Sequence, residues 1–330
     1  MNVHNVSQYP LMTIEIPMFQ YPDIRKFALQ KIRFNIHPQD SIAILGESGS
    51  GKSTLLKILA GLLRIQSVDQ VCMLSADRGL VPLKKIPRKI LYGRLQIVFQ
   101  DNMGSLYEKE TVKSSLKHIA RIKKQKKQAV FHCAKKFFQQ LRLIACDDEN
   151  APHLDSFESF MKKQVAQLSM GMLRRYCLAK ALLLLDIYDS CQTEAPKILL
   201  VDEISRGLDN ATKKQLVQFL KDMQKTYHLA IVAISHELDF LKAFCQQFYF
   251  LFEGFQIPKS YSLAELDEKA THNIKNIYLR RYFIPCEEPI RLSNLTEIPQ
   301  NACYFQQFYN CPEASRCKNF NKKEYPWICY

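Results

Sequence analysis

Glycine is scarce in this chain, ten of 330 residues, and tryptophan occurs once. Where glycines do cluster, they mark backbone that needs unusual freedom. No apolar run approaches the roughly 18–20 residues needed to cross a bilayer; runs such as ALLLL (181–185) and ILLV (198–201) are core-sized. The opening MNVHNVSQYP lacks both the charged start and the apolar block of a secretion signal, so the chain reads as cytosolic. CxxC pairs are missing among eleven cysteines, which counts against a zinc ribbon. Carboxylates are also in deficit: 32 Asp and Glu face 46 Lys and Arg, a net charge of +14. Residues 111–146 hold ten Lys or Arg and no acid at all. Such a stripe suits nucleic acid, an anionic membrane face, or simply a solvated helical surface. The hydrophobic share, 47%, is ample for a buried core and excludes a disordered chain. Cys133, Cys177 and Cys245 sit in helix-like or strand-like segments and read as small buried hydrophobes.

The glycines that cluster do so at 46–54. SIAIL (41–45) has the composition of a short buried strand, GESGSGKST follows, and LLKILAGLL continues with helical spacing. Strand, glycine loop and helix in that order are the context of a P-loop. Gly46, Ser48, Gly49 and Gly51 let backbone N–H groups turn toward phosphates, and a helix N-terminus adds a favourable dipole. Lys52 is expected to reach the β- and γ-phosphates, Ser53 to bind Mg²⁺, and Thr54 to complete the cradle. KILLVDE (197–203) is an apolar strand ending in two acids. Asp202 is placed to hold Mg²⁺ and Glu203 to orient the attacking water as general base. Gln100 closes the strand LQIVFQ and His236 follows AIVAIS; each alone carries little information, and their order gives them weight.

That order, with LSMGM at 168–172 and ISRGLD at 204–209 between its last members, resembles the ATP-binding cassette ATPases over about residues 11–255. The family's signature is LSGGQ, so Met170 stands where a glycine is usual, while Ser169 and Gly171 remain. The resemblance implies a RecA-like α/β P-loop NTPase cassette with a small antiparallel β-subdomain and a helical subdomain. It implies ATP and Mg²⁺ as ligands, with Gln100 sensing the γ-phosphate and touching Mg²⁺, and His236 holding the hydrolytic geometry. Two cassettes close head to tail, each lending Ser169, Gly171 and Asp209 to the other's nucleotide. An aromatic near the N-terminus stacks on adenine; Tyr21 is the candidate and Phe19 the next. Met170 crowds the approach of the signature, so a heterodimer with a related cassette and two unequal sites is favoured over a homodimer.

FQDNMGSL (99–106) is similar to a segment of the oligopeptide, dipeptide and nickel importer branch, with Asn102 where that branch has proline. LSNLTEIPQNACYFQQFYNCPEASRC (292–317) resembles the same branch's tail. Cys303, Cys311, Cys317 and Cys329 fall within the last 28 residues. Four thiolates hold an iron–sulfur cluster, bind zinc, or stay free; some members of the similar branch carry a 4Fe-4S cluster on this motif. The expected layout is a nucleotide-binding domain at 1–255 containing a helical subdomain at 101–190, then a cysteine-bearing extension at 256–330. The expected function is ATP hydrolysis energising a peptide-type importer through separate membrane permeases, served indirectly by a substrate-binding protein, at the cytoplasmic face of the inner membrane. The alternatives are a soluble ATPase acting on nucleic acid or ribosomes, and a degenerate cassette that scaffolds a partner. One unsplit cassette argues against nucleic acid as the partner.

Overall fold

The computed structural model describes residues 9–22, 27–63, 71–75, 79–99, 110–146, 154–185, 197–257 and 260–266. The chain divides into two compact units, 1–260 and 261–330. Nineteen helices and strands of the described residues run in the order β1 (Met12–Gln20), β2 (Phe27–Ile36), β3 (Ser41–Leu45), α1 (Lys52–Leu59), β4 (Val71–Leu74), β5 (Leu80–Pro82), α2 (Arg88–Arg94), β6 (Leu95–Val98), α3 (Val112–Lys123), α4 (Lys127–Gln140), α5 (Phe157–Lys162), α6 (Met170–Leu184), β7 (Ile198–Asp202), α7 (Asn210–Tyr227), β8 (Ala230–Ile234), α8 (Leu238–Lys242), β9 (Gln247–Phe252), β10 (Phe255–Gln256) and β11 (Tyr261–Ser262). In the second unit, β11 leads into a 3-10 turn, Leu263–Leu266, where the Glu265 carboxylate accepts from the Ser262 N–H at 2.8 Å.

In the first unit the strands follow the path β5-β4-β1-β2-β10-β9-β3-β8-β7-β6. The small antiparallel sheet is thus continuous with the parallel core, joined where the two-residue β10 lies between β2 and β9. Strands β3, β7 and β8 are buried at every position, as strands covered on both faces must be. Strand β1 alternates instead: Met12, Ile14 and Ile16 point inward and Glu15 outward. In β2 the alternation breaks between Leu29 and Ile32, both buried. Lys31 stands there in the left-handed region at φ 52°, while the register with β1 is unchanged from Met12↔Ile36 to Phe19↔Leu29.

Helices α3 to α6 are inserted between β6 and β7, which pair in parallel from Leu95↔Ile198 to Val98↔Val201. The insertion therefore leaves and re-enters the sheet on adjacent strands. It packs around Phe138, which meets Phe160 edge-on at 5.2 Å and Tyr176 at 6.0 Å. Phe137 contacts Phe219 of α7 at 5.9 Å and ties the insertion to the core.

Candidate functional site

The P-loop forms where the sequence places it. Strand β3 runs into the loop and α1 starts at Lys52, with Gly51 as its left-handed N-cap at φ 98°. A Cβ on Gly51 would lie 2.6 Å from the Ala28 carbonyl oxygen, so the loop rests directly on the backbone of β2. No other residue type fits there. The Lys52 ammonium is turned into the loop, donating to the carbonyls of Gly46 and Glu47, both at 2.7 Å. Burial lowers its pKa, and the carboxylates of Glu203, Asp202 and Glu47 push it back up. It is a largely buried cation whose charge these carboxylates help to keep.

In front of the loop lies a cavity of about 370 Å³, lined among others by Tyr21, Ser48, Lys52, Ser53, Asp202 and His236. Asp202 ends β7; burial raises its pKa and a hydrogen bond with Ser53 opposes the shift. Glu203 follows in the left-handed region at φ 53°, its N–H donating to the Ile234 carbonyl at 2.9 Å. This backbone turn sends the carboxylate into the cavity. Its Oε1 is buried without a hydrogen-bond partner. Burial, then repulsion from Asp202, pushes its pKa up to about 7. His236 follows β8 and brings Nε2 to 3.7 Å from Glu203 Oε1, beyond hydrogen-bonding reach. Burial and the charges of Lys52 and Arg206 lower its pKa.

Tyr21 lines the cavity and its hydroxyl shares a hydrogen bond with Thr54 Oγ1 at 3.1 Å. Phe19, the second aromatic candidate, is 6% exposed and belongs to the core. A bulge between Phe19 and Gln20 separates the two fates. Two lining residues that sequence reasoning missed are Glu253 and Gly254, in the β9–β10 turn. The Gly254 N–H donates to the Ser50 carbonyl at 3.1 Å, and its own carbonyl accepts from the Gln30 N–H at 2.7 Å. The turn thus straps the P-loop to β2.

Ser169, Gly171 and Asp209 form a separate cluster, outside the lining of that cavity. Ser169 caps α6, its hydroxyl accepting from the Met172 N–H at 3.3 Å. Asp209 caps α7, accepting from the Thr212 N–H at 2.9 Å and the Thr212 hydroxyl at 2.6 Å; those bonds lower its pKa. A Cβ on Gly171 would come within 3.1 Å of Leu208, so the start of α6 packs on the segment before Asp209. Arg175, also unforeseen, donates to the carbonyls of Gly171, Leu141 and Arg142 and fixes the start of α6 to the end of α4. Met170 stands 48% exposed at the first position of α6. Gln100 and the four cysteines Cys303, Cys311, Cys317 and Cys329 lie outside the described residues. Among the described residues, no group of three or more His, Cys, Asp or Glu could hold a metal ion.

Residues 29–206 match the sequence profile described as ABC transporter. The chain belongs to the ABC transporter family. The nickel import ATP-binding protein NikE of Escherichia coli (strain K12) is 29% identical over 241 residues, 72% of this chain and 79% of that one. The nickel import ATP-binding protein NikE of Shigella boydii serotype 4 matches to the same extent. Among solved structures, cbiO1 of Clostridium perfringens, part of the ABC transporter complex cbiONQ, superposes with a TM-score of 0.61 at 24% identity, covering 82% of this chain and 96% of that one. The cassette MJ0796, in a dimeric post-hydrolysis state bound to ADP and Pi, gives 0.58 at 20% identity, over 76% and 98%. These structural likenesses establish the cassette fold. As an ABC cassette the chain is an ATPase, and the residues present fit ATP with Mg²⁺. The buried Lys52 ammonium suits the phosphates, and Glu203 Oε1 is buried without a hydrogen-bond partner beside it.

Proposed function

We propose that this chain is the ATP-hydrolysing subunit of an importer of the peptide and nickel branch, acting through separate permease subunits at the inner face of the membrane. Bound Mg²⁺, held by Ser53 and Asp202 with Gln100, would neutralise charge on the β- and γ-phosphates. Lys52 holds the same phosphates. Tyr21 stacks on adenine. Glu203 accepts the proton of the water that attacks the γ-phosphorus as the bond to the β–γ bridging oxygen breaks and ADP departs. His236 steadies the γ-phosphate.

The observation that carries this reading is the separation of the two clusters. The cavity holds Lys52, Asp202, Glu203 and His236, while Ser169, Gly171 and Asp209 are assembled away from it. Ser169, Gly171 and Asp209 therefore serve the nucleotide of a second cassette. Met170 projects from that surface, which favours a related cassette over a second copy of this chain. The importer assignment is supported by the NikE relatives, named for nickel import. Among the described residues no helix is long and apolar enough to cross a membrane, consistent with separate permeases. We extend the proposal to the four C-terminal cysteines as ligands of a 4Fe-4S cluster; colourless, iron-free protein after anaerobic purification overturns that part alone.

The test is ATP turnover by the purified chain as a function of its concentration, with Glu203→Gln as blank. No turnover alone, restored by a related cassette with an intact LSGGQ, is the expected result. Turnover that rises faster than linearly without a partner means self-pairing. Turnover strictly proportional to concentration refutes the shared site.

A further inference from the structure

The cations of 111–146 gather on one projecting feature. Helices α3 and α4 form a hairpin whose apolar side chains face inward: Val112, Leu116 and Ile119 from α3, and Val130, Ala134, Phe137 and Phe138 from α4. Arg121, Lys124, Lys126 and Lys127 are all exposed at its tip, within seven residues, and Lys113 and Lys136 are exposed on its flanks. No carboxylate occurs between Thr111 and Cys146 to offset them.

Two further features describe this tip. Ile122, outside the buried stripe, is 49% exposed in the middle of the cations. Lys124 closes α3 in the left-handed region at φ 54°, where glycine is the usual residue. Its N–H bonds back to Arg121 and that of Gln125 to Ala120, so the turn is tight and throws the lysine outward.

We propose that the α3–α4 tip is a docking surface for anionic phospholipid. A short run of exposed cations with one exposed aliphatic side chain among them is the composition of a membrane-surface contact: the cationic groups meet the headgroup phosphates and the aliphatic group enters the acyl boundary. Nucleic acid is the less suitable polyanion, because the tip offers an aliphatic side chain where strand binding uses aromatic stacking platforms. The placement rests on the proposed role beside a membrane, but the contact itself needs neither permease nor ATP.

The experiment is flotation of the full chain with vesicles of phosphatidylcholine alone or with phosphatidylglycerol, at low and high salt. Binding is expected only with phosphatidylglycerol, weakening as salt rises. Each lysine near an anionic surface contributes about fivefold in partitioning, so Lys124→Gln, Lys126→Gln and Lys127→Gln together should lower it about a hundredfold. Ile122→Ser should lower it several-fold without changing the salt dependence. Lys124→Gly should raise the melting temperature while still lowering partitioning about fivefold, which separates lost contact from a damaged fold. ATP turnover of the triple variant, measured with whichever partner cassette supports it, stays at the wild-type value. Equal binding to both vesicle types, or wild-type binding by the triple variant, overturns the proposal. Displacement of vesicle-bound protein by single-stranded oligonucleotide, with tighter binding to the oligonucleotide, replaces lipid with nucleic acid.

Discussion

Gly254 lies about two hundred residues beyond the P-loop, and Gly254→Ala tests whether the β9–β10 turn supports it. Two costs add. At φ 85° an alanine occupies the left-handed region, which costs about 1–2 kcal/mol. Its Cβ would also lie 2.8 Å from the Ala28 carbonyl oxygen and 3.1 Å from the carbonyl carbon, so backbone must move. Overpacking of that kind costs roughly 1–3 kcal/mol more. The sum, about 2–5 kcal/mol, corresponds to a fall in melting temperature of roughly 5–15 °C for a domain of this size. The displaced turn strains the Gly254–Ser50 bond (3.1 Å), so the loop shifts and ATP affinity should fall about tenfold or more, roughly 1.4 kcal/mol. Gly207→Ala is the control. It shares the left-handed backbone, φ 76°, but its Cβ finds nothing nearer than the Arg174 guanidinium at 3.6 Å. It should show the conformational cost alone. Thermal denaturation and titration with a fluorescent ATP analogue read both effects. If Gly254→Ala melts no lower than Gly207→Ala and binds ATP within twofold of wild type, the strap is not what holds the loop.

Glu203→Gln should abolish turnover while retaining ATP binding. In Mg²⁺-free buffer it should also remove a pH dependence: a carboxyl raised from 4.5 to about 7 by folding makes the folded state the tighter proton binder, so wild-type stability falls as pH rises from about 4.5 to 7. The loss is roughly 3 kcal/mol, and the glutamine variant should melt higher than wild type at pH 8; equal melting contradicts the buried repulsion. Met170→Gly should leave the melting temperature within a few degrees, since the side chain is exposed, yet permit or raise turnover by the chain alone; unchanged turnover removes Met170 as the obstacle. Tyr21→Ala should weaken ATP binding about tenfold, roughly 1–2 kcal/mol of stacking, whereas Tyr21→Phe, which loses only the Thr54 bond, should stay within threefold; equal losses make the hydroxyl the contact that matters.

What could be read in the sequence was local. The P-loop, the two acids at the end of β7 and the LSMGM and ISRGLD segments that carry Ser169 and Asp209 each depend on a few consecutive residues meeting a strand end or a helix start. Their types follow from those roles. The strap was invisible because it is backbone against backbone: Ala28, Gly51 and Gly254 meet through a carbonyl and two missing Cβ atoms, with no side chain to announce it. Arg175 was missed because its partners are carbonyls at the end of another helix, and any long cation on α6 has the same sequence signal. The choice between Phe19 and Tyr21 turned on a bulge that alternation alone does not reveal.

The strand that carries the P-loop lies in the sheet between β8 and β9, with Ile42 opposite Val232 on one side and Gln247 on the other. Both neighbours are roughly two hundred residues further along the chain. During synthesis, β3 leaves the ribosome long before either partner exists, and its five buried residues have nowhere to pair. Closing so large a loop is slow, and the waiting apolar strand is exposed to misassociation meanwhile. A chain interrupted between α1 and β9 contains the whole P-loop sequence yet lacks a strand that flanks it. The phosphate cradle, written early, is among the last things this polypeptide can build.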